Sequence, residues 1–92
     1  MANVTAKHTD TTGTLVTGRY QLRGYQTISG GTAGDVIYRD GGASGTIKLQ
    51  FNIGTGLQPI GLAIPGDGIL FTTDIHVTLP ATAKTTVFYE AV

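Results

Sequence analysis

The chain has no cysteine and no tryptophan, three prolines, and only 13% charged residues among its 92. Without thiols there are no disulfides, no thiolate metal ligands and no cysteine nucleophile. Charge is balanced as well as scarce, six Lys plus Arg against six Asp plus Glu. The cations Lys7, Arg19, Arg23, Arg39, Lys48 and Lys84 are spread along the chain, not gathered into the basic patch that phosphate binding requires. Nucleic acid is not an expected partner. No apolar run approaches the ~18 residues of a membrane helix. Residues 1–13 are polar and Thr-rich with none of the apolar core of a secretory leader. The expectation is synthesis in the cytoplasm and no membrane partner. A chain this short can bury one small core, and such domains are often stabilised by oligomerisation or by docking on a larger body.

Helix-forming stretches are missing too. Glycine supplies 14 residues and interrupts most windows long enough for a helix, and the Gly-free windows are rich in Thr and β-branched residues, which suit a pleated surface. Period-two alternation is what the sequence offers instead. It is clearest over Thr46–Ile53, where Ile47, Leu49, Phe51 and Ile53 share one parity and Lys48, Gln50 and Asn52 the other. Upstream, Val36 and Tyr38 oppose Ile37 and Arg39, and Asp40-Gly41-Gly42-Ala43-Ser44 makes a hairpin loop, Asp-Gly favouring the positive φ such turns need. Ile75, Val77 and Leu79 alternate with His76 and Thr78, and Val87 and Tyr89 with Phe88 and Glu90, which predicts a second hairpin linked through Pro80 to Lys84. Pro65-Gly66-Asp67-Gly68 predicts a tight turn. Leu15 to Thr17 and Tyr20–Ile28 complete the strands, the latter bulged at Gly24.

About seven or eight short antiparallel strands bounded by Gly-rich turns predict an all-β fold, a small jelly-roll-like β-sandwich. Residues 14–92 form this single domain. Residues 1–13, whose one large apolar residue beyond Met1 is Val4, are expected to be an extended polar arm that orders on a neighbour.

Few residues gather in a way that carries chemistry. Gly30-Gly31-Thr32-Ala33-Gly34-Asp35 comes nearest to a phosphate loop, but no Lys-Ser/Thr pair follows the glycines and the next element is a strand. A flexible turn explains it. Two histidines, His8 and His76, are too few for a zinc site with three protein ligands. Asp74 lies two residues before His76, so on a strand the two share a face and could form a hydrogen-bonded pair. Asp35, Asp40, Asp67 and Asp74 lie in or beside predicted turns, where Asp bonds nearby backbone N–H groups. No calcium-loop pattern is present. Of Tyr20, Tyr25, Tyr38 and Tyr89, at least two are expected in the core and the remainder as surface anchors. These patterns predict no catalytic residue, no cofactor and no metal; the expectation is a protein that is not an enzyme. Partner contacts are expected at irregular segments on a rigid sandwich: Val4 in the arm, and the loop Gly30, Gly31, Thr32, Ala33 and Gly34.

Three runs carry a resemblance: Gly34-Asp35-Val36-Ile37-Tyr38-Arg39-Asp40-Gly41-Gly42-Ala43-Ser44-Gly45-Thr46, then Ile64-Pro65-Gly66-Asp67-Gly68-Ile69-Leu70-Phe71, and finally Thr86-Val87-Phe88-Tyr89-Glu90. Together they resemble small structural proteins of tailed bacteriophages, especially those of marine and cyanobacterial hosts. Residues 1–18 lie outside the resemblance, and its motifs are scaffold features. It implies a virion component on the outer surface of the capsid, similar to decoration or cement proteins, with the major capsid protein as partner and a homotrimer as the assembly. A tail- or fibre-associated module contacting host-surface glycan or protein through Tyr-bearing loops is the alternative.

Overall fold

The structure of the chain, a computed structural model, describes residues 4–92. Alternation becomes strand throughout: β1 (Thr5–Thr9), β2 (Gly13–Thr17), β3 (Tyr20–Ile28), β4 (Gly34–Asp40), β5 (Thr46–Ile53), β6 (Pro59–Ala63), β7 (Ile69–Phe71), β8 (Asp74–Thr78) and β9 (Lys84–Ala91), with one 3-10 turn at Gly42–Ser44. All pairings are antiparallel. The first sheet runs β1-β9-β3-β6, with β7 also on β3, and the second runs β2-β8-β4-β5. With β6 and β7 taken as one interrupted strand, the chain is a nested ribbon: β1 pairs with β9, β2 with β8, β3 with β6 and β7, β4 with β5. That nesting is the jelly-roll order of two packed four-stranded sheets.

Alternation decides what is inside. Leu22, Tyr25, Phe71 and Val87 of the first sheet face Val36, Tyr38, Ile53, Ile75 and Val77 of the second, and all are buried. Each such side chain contributes about 1.5–3 kcal/mol on leaving water. The Tyr25 ring stacks on Phe51 across the two sheets, centroids 4.6 Å apart. A polar knot sits within this core. The Tyr38 hydroxyl lies 2.7 Å from Thr85 Oγ1, Thr27 Oγ1 lies 3.0 Å from the same oxygen, and Thr85 Oγ1 donates to the Gln26 carbonyl at 3.3 Å. One threonine thereby takes two hydroxyl donors and gives its own proton to the backbone, so the buried oxygens are satisfied.

The structure departs from the sequence expectations at three places. The segment read as an arm is folded into the sheet from Thr5 onward, with β1 in register along β9 from Thr5 opposite Tyr89 to Thr9 opposite Thr85; residues 1–3 lie outside the described residues. Backbone pairing holds this polar edge strand, so it needs no apolar side chain of its own. The predicted hairpin through Pro80 is a crossover: β8 belongs to the second sheet and β9 to the first. Ile47 does not share a face with Leu49. A bulge at Lys48 sets Ile47 opposite Arg39 on the outer face, 46% exposed, since one extra residue reverses parity. The Pro65-Gly66-Asp67-Gly68 turn forms as expected, Gly68 N–H bonding to the Pro65 carbonyl at 3.4 Å, and the strands on either side of it are both neighbours of β3. Ile64 N–H bonds to the Arg23 carbonyl at 2.8 Å and Ile69 pairs with Leu22, so those four residues loop out of one strand line on β3. On its other side β3 is bulged against β9 between Leu22 and Gly24, and Arg23 in the bulge is ion-paired to Glu90 at 2.6 Å.

The hairpin loop behaves as its sequence predicts. Gly41 has φ of 110°, the left-handed conformation that Asp-Gly turns supply.

Candidate functional site

Register determines which residues the sheets present outward. On the first sheet one outward row runs Ala6–Phe88–Gly24–Ala63 across β1, β9, β3 and β6, and the next runs His8–Thr86–Gln26–Gly61. The first is apolar and, Phe88 apart, made of small residues; the second is polar and ends on glycine. Neither contains a carboxylate, lysine or arginine. Phe88 packs beside Gly24, and next to it opens a shallow groove of about 460 Å3 that includes Val4, Leu62 and Ala63 in its lining. Val4 is 55% exposed and Leu62 54%. A second depression, of about 210 Å3, is lined by His8, Gln26, Pro59 and Lys84. His8 Nδ1 lies 3.0 Å from Thr86 Oγ1.

The other sequence-predicted segment lies elsewhere. Gly30 lines a depression of about 720 Å3 at the end of the sandwich, with Asp10, Ser29, Leu57, Thr82 and Lys84. Gly30 is glycine because the Thr82 backbone carbonyl and side chain occupy the space a Cβ would need. Gly31 N–H donates to Ser29 Oγ at 3.1 Å, and that hydroxyl donates to the Thr32 carbonyl at 3.4 Å. Thr32 and Ala33 are exposed, while Gly34 opens β4 against Pro80. Val4 precedes β1, whereas Gly30 shares its depression with Asp10 and Thr11 beyond the other end of that strand, so the two predicted contact segments belong to different surfaces. Thr82 was not singled out by its sequence. Its φ of 63° is the one positive value at a non-glycine among the described residues, a conformation that strains a β-branched side chain. Thr82→Gly is expected to raise stability by about 1 kcal/mol, read as a higher urea midpoint at unchanged slope.

Polar groups are engaged in holding loops. Asp40 accepts from the Thr72, Thr73 and Asp74 amides and from Thr72 Oγ1, at 2.8–3.3 Å. Asp74 accepts from the Gly41 and Gly42 amides at 2.9 and 3.1 Å. Each aspartate thus caps the loop that carries the other. The Asp74–His76 pair that the spacing allows does not form, because Asp74 turns to that loop and His76 Nδ1 lies 3.2 Å from Thr14 Oγ1. His76 Nε2 and Arg39 Nε, on paired positions of β8 and β4, are buried and find no hydrogen-bond partner among the described residues. Asp35 accepts from Gln50 and Asn52 side chains, both at 2.9 Å; the bonds from Asn52 and Gln50 hold its carboxyl below the ordinary value, against a smaller opposing effect of desolvation.

Comparison of the chain with protein-family models, curated proteins and solved structures finds no match. Among the described residues, no three of His, Cys, Asp and Glu gather to hold a metal ion. What the arrangement offers is surface: two rows without formal charge across the first sheet, between Lys84 toward one end of β9 and the Arg23–Glu90 ion pair toward the other, grooved along Phe88 with Arg23 in the lining, and with a polar edge strand at one border and an apolar one at the other. Phe88 was legible only as the odd member of the apolar triplet Val87-Phe88-Tyr89, and the small residues that complete its row come from three other strands.

Proposed function

We propose that this chain is a structural virion protein, a decoration or cement protein that lies on the outer surface of a capsid and braces contacts between major capsid subunits. The observation that carries the reading is the outward row Ala6–Phe88–Gly24–Ala63. A row of small residues without formal charge lets a rigid sandwich lie closely against a larger body, with one aromatic side chain as anchor. Phage-like sequence runs and the jelly-roll order, a fold common among capsid domains, support the same reading. Many copies repeating weak contacts on one shell sum to firm attachment.

The test is imaging of particles purified with the chain present, deleted, or carrying Ala6→Glu. Density at regular positions over the shell, lost on deletion, is the expected result. Ala6 is exposed on β1, so Ala6→Glu should leave stability within about 0.5 kcal/mol while particle occupancy falls, because a carboxylate then meets an apolar contact without a partner. Density confined to the tail would instead support a module that binds the host surface. Absence from particles would overturn both.

A further inference from the structure

The four sheet edges differ in how they are guarded. β1 carries Lys7 and His8, β5 carries Lys48 at a bulge, and β2 is bulged at Leu15; charge and bulging are two of the usual means of blocking edge pairing. β6 has neither. Its five residues, Pro59-Ile60-Gly61-Leu62-Ala63, are all exposed, and the sequence carries no charge anywhere between Lys48 and Asp67. Three of the six exposed large apolar side chains among the described residues fall within this short reach: Leu57 at 66%, Ile60 at 40% and Leu62 at 54%.

We infer that β6 is the self-association edge of this protein, pairing antiparallel with β6 of a second copy about a two-fold axis through Gly61. The backbone parity carries this. Ile64 N–H bonds to Arg23, and the register of Leu62 on Tyr25 and Ile60 on Thr27 continues the same alternation, so residues 60, 62 and 64 direct their amide groups to β3. Residues 59, 61 and 63 direct theirs outward. Set against a second copy, Gly61 faces Gly61 and exchanges two hydrogen bonds; the Ala63 amide of each chain donates to the Pro59 carbonyl of the other. The one outward position without a donor is proline, and it falls at both ends of the pairing, where its loss costs least. Ile60 then stands opposite Leu62 of the second copy, twice over, in the pairs whose side chains approach most closely. A strand without charge meets no repulsion from its own copy, which is what a two-fold contact demands.

The contact is small. Five residues a side with Leu57 at the border bury less than the ~1,200–2,000 Å2 of a standard stable interface, so assembly should be concentration-dependent. This inference concerns the free chain and does not rest on attachment to a shell. Sedimentation equilibrium of the full chain should show monomer passing to dimer as concentration rises through about 10 μM to 1 mM, the range of weak interfaces. Leu62→Lys should raise the dissociation constant at least ~10-fold by setting an ammonium against Ile60. Ile60→Glu combined with Leu62→Lys should restore pairing, since each carboxylate then faces an ammonium across the axis. In the unaltered chain, hydrogen exchange at the Gly61 and Ala63 amides should slow with concentration while exchange at those of β1 does not, a readout that needs no variant to fold. A monomer throughout, a trimer, a dimer indifferent to Leu62→Lys, or protection along β1 would each overturn the pairing.

Discussion

Tyr38→Ala is expected to cost about 3–5 kcal/mol, the usual range for deleting a buried aromatic side chain, and to bring this small domain close to its unfolding threshold, since native domains hold only about 5–15 kcal/mol in reserve. Tyr38 is fully buried and its ring lies near those of Tyr25 and Phe51, at 6.0 and 6.2 Å. Removing it empties the space between the sheets and strips the polar knot of a donor at once. Two companion variants separate these effects. Tyr38→Phe keeps the ring and loses only the bond to Thr85, about 1 kcal/mol. Thr85→Val should cost more than Tyr38→Phe, because it leaves the Tyr38 and Thr27 hydroxyls buried together without their shared acceptor. Urea unfolding should rank Tyr38→Ala as the most damaging of the three, Thr85→Val next and Tyr38→Phe mildest; a Thr85→Val as mild as Tyr38→Phe would show that the knot does not matter. Burial also raises the Tyr38 phenol above its ordinary value despite the hydroxyls of Thr85 and Thr27.

Asp40→Asn is expected to cost about 1–2 kcal/mol at neutral pH, toward the lower end of the range for hydrogen bonds to a charged group because solvent reaches this carboxylate and screens it. Desolvation alone would raise the Asp40 carboxyl, but the amides of Thr72, Thr73 and Asp74 and the Thr72 hydroxyl outweigh it and hold the pKa at about 2, against 3.8 for the free group. A carboxylate with a depressed folded value stabilises the fold in full above the unfolded value near 4, and that contribution is lost as pH falls toward 2. Denaturant midpoints measured from pH 6 to pH 2 should therefore fall for the unaltered chain and fall less steeply for Asp40→Asn. Parallel pH profiles would remove Asp40 from its role as clamp between the β4–β5 loop and the link from β7 to β8.

The all-β sandwich and most strand positions were legible because parity is local. Val36 against Ile37, or Ile75 against His76, states in two adjacent residues which side faces the core. Pairing partners are not local. Nothing near Pro80 distinguishes a hairpin from a crossover between sheets, and nothing near Asp67 tells that β6 and β7 share one neighbour. The bulge at Lys48 escaped for a related reason: an inserted residue leaves composition unchanged while turning Ile47 outward. Thr5–Thr9 escaped because a strand stabilised by its backbone alone has no apolar signature. The surface used for the functional reading was the least legible part. Its row joins Ala6, Phe88, Gly24 and Ala63, four residues from four strands that are ordinary singly and meet only once the register is known.

The place of β9 has a consequence for how the chain comes into being. It follows every other described strand in order of synthesis, yet it lies between β1 and β3. The β4–β5 ribbon can form while the polypeptide is still being extended, since its halves are joined by a short loop. The first sheet cannot be completed in that way, and β1 waits through some eighty residues of translation, at about 5–20 residues per second, for its partner β9. Closure of the sandwich is therefore a late, long-range event in the life of each molecule, and the side chains that line the gap, Leu22 and Tyr25 among them, stay open to water until it happens.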